Sequence, residues 1–167
     1  MKRIIASVLL IALFLSISTF ALAAFSLRNG YYWGMTENEA LSIANEEGLK
    51  YIEDEGITTF EEVPVGYFST TMQLFFLEDS GLHMIYYNFH SIQEDDKKIF
   101  NDMFDSLTKS LDDVYGENIP GLKHELVFWE LPDTIIMLKK EKVYEEEGMV
   151  RCVISYIINK SDNNSGF

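Results

Sequence analysis

The sequence predicts an α+β fold, an antiparallel sheet with two main helices packed on it, in the order α-β-β-β-α-β-β-β. Three observations predict it. Two segments, residues 36–48 and 91–116, carry apolar side chains at three- and four-residue spacing between a capping signal and a glycine. Most remaining segments alternate apolar with polar side chains, the pattern of half-buried strands. Turn clusters such as Glu78-Asp-Ser-Gly81 and Leu131-Pro-Asp-Thr134 join consecutive strands closely enough that neighbours must run antiparallel.

The chain is 167 residues long, one domain's worth once its start is set aside. Lys2 and Arg3 form a positive n-region, residues 4–15 are apolar except for Ser7, and Ala21-Leu22-Ala23 is a small-x-small cleavage site. Residues 1–23 therefore read as a signal peptide, residues 24–160 as a single α+β domain and residues 161–167 as a disordered polar tail. The apolar run is short for a spanning anchor. The only cysteine, Cys152, is far from the cleavage site, so no thiol is placed for lipid attachment. The expected product is a soluble exported protein, periplasmic or secreted.

Each element has its own justification. Thr36 and Glu39 form a capping box, Ala40, Leu41, Ile43 and Ala44 supply an apolar stripe, and Gly48 is the stop. Residues 50–55 predict a short strand and residues 56–66 a loop, anchored by Phe60 and Val63. Residues 67–77 and 82–89 predict a hairpin. Its four-residue loop pairs Leu74 with Ile85 and Met72 with Tyr87. Alternation then divides the hairpin into two faces. Phe68, Thr70, Met72, Leu74, Phe76, Ile85, Tyr87 and Phe89 form a core face. Tyr67, Ser69, Thr71, Gln73, Phe75, Met84, Tyr86 and Asn88 form a mixed face that is unusually aromatic.

Ser91 and Glu94 read as a second capping box, with Asp95 and Asp96 in the first helical turn, where the helix dipole favours them. Ile99, Phe100, Met103, Phe104, Leu107, Leu111, Val114 and Tyr115 form the stripe that should cover the sheet, and Gly116 closes the helix. Residues 125–131, 134–144 and 149–158 predict a meander in which Glu125 faces Lys140. The two halves, about residues 31–90 and 91–160, share one order. They are compatible with a diverged internal repeat or with a single unduplicated domain.

Charge excludes several classes. With Lys2 and Arg3 removed, 11 basic residues face 27 acidic ones, so the mature charge is −16 against −14 for the whole chain. Such a surface repels nucleic acid and anionic membranes. After the signal no apolar run is long enough to span a bilayer, so no membrane insertion is expected after cleavage.

Signatures of chemistry are weak. Alternation sends His83 and His90 to opposite sheet faces, and no zinc-ligand spacing occurs. His90 beside Glu94 or Asp95 reads as part of an acidic helix start rather than a cation site. The acidic turns at residues 53–56 and 78–81 lack the spacing of a calcium loop. No G-x-S-x-G elbow, P-loop or G-x-G-x-x-G fingerprint is present. Cys152 shares a face with Val150, Ile154 and Tyr156, with nothing basic beside it on that strand face, and reads as an inert core thiol. No catalytic residue, metal ligand or cofactor is assigned.

The aromatic side chains carry more information. Trp33 and Trp129 read as core. On the mixed hairpin face, Tyr67, Gln73, Phe75, Met84 and Tyr86 read as a partner-binding surface if nothing else covers them, a loop or a second subunit being the alternatives. The expected function is an exported, non-catalytic binding domain that presents this face to a protein partner, with an acidic rim suited to a basic one. The alternatives are a small-ligand carrier with a pocket between helix and sheet and, less favoured, a hydrolase whose site is assembled through the fold.

Trp33-Gly-Met-Thr-Glu-Asn-Glu39 leading into a helix that ends at Gly48 resembles a class of small exported bacterial domains. The helix end Leu107-x3-Leu111-x3-Tyr115-Gly116 and the segment Trp129-x4-Thr134-x-Ile136-x-Leu138 are similar to the same class. The helix-start motif resembles that of the SmpA/OmlA outer-membrane assembly lipoproteins and of β-lactamase-inhibitory protein. The resemblance implies helices laid on an antiparallel sheet that binds other proteins. The chain departs from the lipoproteins in lacking a lipidation cysteine and from the inhibitor in lacking its disulfides.

Overall fold

A computed structural model of the chain describes residues 30–54, 57–93, 96–121, 125–143 and 148–159. The expected signal peptide and the tail at 161–167 lie outside the described residues, as do Glu94 and Asp95. The residues from Trp33 onward form one compact unit.

Helix α1 (Glu37–Glu46) starts as its capping box dictates. The Glu39 N–H donates to Thr36 Oγ1 at 3.3 Å, and the Thr36 N–H donates to Glu39 Oε2 at 2.7 Å. At the other end Gly48 takes a positive φ, and the Gly48 and Leu49 N–H groups donate back to Asn45 and Ala44 carbonyls. Strands β1 (Lys50–Asp54), β2 (Ile57–Val65), β3 (Phe68–Leu77) and β4 (Gly81–Phe89) follow as an antiparallel meander. A two-residue strand β5 (Ile92–Gln93) precedes helix α2 (Lys97–Tyr115). After it come β6 (Ile119–Pro120), β7 (Leu126–Glu130), β8 (Thr134–Lys142) and β9 (Met149–Ile158). The sheet order is β1-β2-β3-β4-β9-β8-β7-β6, with β5 pairing β9 beside this path. The α+β architecture, an antiparallel sheet with two helices, is as the sequence predicts.

Two expectations are corrected. Residues 57–65 are a strand, not a loop. Thr58, Thr59 and Phe60 are all buried, and β2 pairs with both β1 and β3. A bulge between Phe60 and Val63, with Glu62 at positive φ, breaks the alternation, and Pro64 hides the strand's end. The second correction concerns the start of α2. Ile92 and Gln93 pair with Val150 and Met149 of β9, so the helix starts only at Lys97, after Asp96, whose side chain makes no capping bond. Sheet pairing takes Ile92 and Gln93, which lie between Ser91 and Glu94 and would have been helical behind that capping box.

Both helices lie against one sheet face. Thr58, on the face shared with Leu74, donates to Glu37 of α1. Trp129 Nε1, on the same face of β7, donates to Asp112 Oδ1 of α2 and to the carbonyl of Gly116, which caps that helix, both at 3.0 Å. Tyr115 and Tyr156 hydroxyls meet at 3.4 Å, and Tyr156 also contacts the Tyr87 ring edge-on. Phe100, Met103, Phe104, Leu107 and Leu111 of α2 are buried, whereas Ile99 and Val114 are exposed and fall outside the stripe. Leu74 pairs with Ile85 and Met72 with Tyr87, as expected, but the connection differs: Leu77 pairs with Gly81 across a three-residue turn, and a bulge between Phe75 and Phe76 restores the offset that a four-residue loop would give.

The Lys140 N–H donates to the Glu125 carbonyl at 2.8 Å, so these residues do face each other. The Lys140 side chain goes elsewhere. Its Nζ donates to Asn101 of α2 at 2.9 Å and lies 4.5 Å from the centre of the Phe104 ring.

Candidate interaction face

The face opposite the helices is fixed by register. Gln73 pairs with Tyr86, Tyr86 with Ser155 and Ser155 with Met137, which puts these side chains in one row across β3, β4, β9 and β8. The next row runs from Phe75 through Met84 and Ile157 to Ile135. Phe128 joins the first row from β7. The hydrogen bonds that join Glu37, Asn101, Asp112 and Tyr115 of the helices to the sheet fall on the other face. Among the described residues, this face is left without a covering element. Phe75, Met84, Tyr86, Ile135, Met137, Ile157 and Phe128 are all partly exposed.

Four of the five residues that the sequence offers as a partner surface are thus brought together. Phe75 and Tyr86 contact edge-on with ring centres 6.4 Å apart, Met84 pairs with Phe75, and Gln73 accepts from Asn88 Nδ2 at 3.1 Å. Tyr67 is not part of this group. It is fully exposed in the turn before β3, eight residues from Phe75, or roughly 26 Å along an extended strand. The sequence missed the contribution of β8 and β9. Ile135, Met137, Ser155 and Ile157 extend the hairpin's face, but no local pattern reveals that β4 pairs with β9.

A charged cluster stands within the face. Arg151 Nε and a terminal guanidinium nitrogen donate to Glu141 Oε2 at 3.2 and 2.9 Å, and Lys139 Nζ lies 3.4 Å from Glu141 Oε1. Burial acts to raise the Glu141 pKa, but the hydrogen bonds and charges of Arg151 and Lys139 together outweigh it and hold the carboxyl below its ordinary range. Tyr86 Oη reaches toward Glu141 Oε2 at 3.5 Å, and burial, then the Glu141 charge, raises the phenol above its usual value. Farther out, Lys50 pairs with Glu61 at 2.5 Å.

Other places for chemistry are less favourable. Cys152 is fully buried on the helix-covered face, and burial pushes its thiol up to about 12. Its cross-strand partner is Lys140, so a basic residue does stand beside it, contrary to the expectation from its own strand. Burial outweighs that cation, and the thiol stays protonated and unreactive. A cleft of about 480 Å³ opens between α2 and the sheet, lined mainly by apolar groups including Phe68, Phe89, Ile92, Ile99 and Met103. His90, Asp102 and Ser106 also line it. No helix among the described residues is long and apolar enough to cross a membrane. Comparison with protein-family models, curated proteins and solved structures finds no match for this chain.

Proposed function

We propose that this chain is an exported, non-catalytic binding domain that uses the open sheet face to engage a protein partner. The observation that carries the reading is the cross-strand group of Phe75, Met84 and Tyr86, continued by Ile157 and Ile135, on the face opposite both helices. An apolar surface of this kind, spread over contiguous strands and edged by polar groups, marks recognition surfaces. The resemblance to exported domains that bind through a sheet points the same way, and the signal-like start of the chain supports export. The test is partner capture with the wild-type protein and with Phe75→Ser/Tyr86→Ser. The double variant should lose the partner while its unfolding curve stays within about 1 kcal/mol of wild type. If the variant unfolds, those side chains are structural and the face is not the site.

The apolar cleft between α2 and the sheet supports a second reading, carriage of a small apolar ligand. Displacement of an environment-sensitive apolar dye, lost on Met103→Gln but kept in the double sheet variant, would favour it.

We also read the two halves as diverged copies, because each places a helix before an antiparallel meander and the meanders meet at β4 and β9. Superposing the halves of an experimental structure tests this: a fit no better than that of unrelated meanders would remove the duplication.

A further inference from the structure

The distribution of charge narrows what can dock on the open face. The whole chain carries −14, so acidic groups dominate its surface. Among the described residues most of them stand away from this face. Glu37 and Glu39 stand at the start of α1, Asp102, Asp105, Asp112 and Asp113 are on α2, and Glu78 and Asp79 form the β3–β4 turn. Among the described side chains of the open face, Lys50 is paired with Glu61, and Arg151 and Lys139 share Glu141 with one positive charge in excess. Glu130 stands only at its rim, on β7. A strongly basic partner would therefore be drawn to the helix layer. The open face suits a partner surface that is, like itself, apolar and with its cations already held by carboxylates of the same chain.

We propose that the occupant of this face is a second copy of the chain, the two open sheets packing face to face. This rests on the reading of the face as a recognition surface and names its partner. Each copy offers what the other needs. Apolar rows meet apolar rows, and the described cations of the face, Lys50, Lys139 and Arg151, each already lie against a carboxylate of their own chain. The size is adequate. Eight strands at the usual spacing, with about seven residues each, give a face of roughly 900 Å². A stable interface takes about 800 Å² from each partner. The acidic helices point outward in such a pair, so their repulsion acts at long range and is screened by salt.

That arrangement predicts a salt dependence of definite sign. A dimer of like-charged copies held by apolar area tightens as salt rises, whereas a complex with a basic partner loosens. The experiment is sedimentation of the purified protein, its N-terminus read by mass spectrometry, from micromolar to submillimolar concentration at low and high salt. The expected result is a concentration-dependent doubling of mass that shifts to lower concentration in high salt. Phe75→Ser/Tyr86→Ser should weaken the dimer about tenfold or more. Met137→Glu, on the same face but on another strand, should do the same. It provides an independent reading should the double variant fail to fold. A monomer at every concentration overturns the proposal. A dimer unchanged in Met137→Glu places the contact elsewhere and also overturns it. If the protein is monomeric yet a different partner is lost with the sheet variants, the recognition face stands and only self-association fails.

Discussion

Trp129 and Asp112 carry the join between the long helix and the sheet. The indole is nearly fully buried, and its single N–H is shared between the Asp112 carboxylate and the Gly116 carbonyl. Asp112 also accepts from the Asn118 backbone and side chain, so one carboxylate ties the last turn of α2, the following loop and β7 together. Trp129→Phe keeps most of the apolar volume but leaves those acceptors short of a donor. Chemical denaturation should show a loss of about 1–3 kcal/mol. On the opposite face, Glu141 makes a pH prediction. Its folded pKa lies below the ordinary 4.5, so its contribution is complete above that value and drains away as pH falls through the lowered folded value. Glu141→Gln should therefore cost stability at neutral pH and flatten the acid limb of a pH–stability curve. An acid limb identical to wild type would mean that the cluster is energetically idle. Several of these residues were legible in sequence, since Thr36 and Glu39 announce their own partnership three residues apart. The Asp112–Trp129 pair was not, because nothing local links a helix C-terminus to a strand 17 residues on.

At the scale of elements, the β3–β4 hairpin shows how close backbone approach fixes a sequence. Gly81 takes a positive φ, and a Cβ there would fall 2.3 Å from the Gly34 carbonyl oxygen, which is backbone and cannot step aside. The segment before α1 is bonded to the hairpin at the same place, through the Gly34 N–H to the Leu82 carbonyl and the Leu82 N–H to the Met35 carbonyl. Gly66 also has positive φ but open space around it. Gly66→Ala should thus cost about 1 kcal/mol from conformation alone, and Gly81→Ala clearly more, because the hairpin and the helix-start segment must separate. Equal melting-temperature losses in the two variants would remove the packing argument. The hairpin's register was read correctly although its turn was not: the three-residue turn and the bulge after Phe75 together give the offset of the four-residue loop that the sequence suggests. The strand at 57–65 was missed because its bulge interrupts the two-residue period just where the charges of Glu61 and Glu62 imitate a loop. The start of α2 was misplaced because a capping box is a local preference worth about 1 kcal/mol, which pairing of Ile92 against β9 overrides.

For the whole molecule, the decisive feature is a large antiparallel sheet that, among the described residues, the helices cover on one side. The sequence showed that the hairpin has an aromatic second face, and so suggested Gln73, Phe75, Met84 and Tyr86. It could not show that β9 and β8 continue that face, since the β4–β9 pairing closes over more than sixty residues of chain. Nor could it show that Tyr67 stands apart at the turn. The central claim is that the open face is occupied when the protein works. Hydroxyl-radical footprinting of the protein in its native extract, and again after purification and dilution, tests it most directly. The account predicts that Phe75, Met84, Tyr86 and Met137 are protected in the extract and become reactive on dilution, while Tyr51, exposed at the sheet's edge, reacts equally in both. Equal reactivity of the four face residues under the two conditions would contradict the claim.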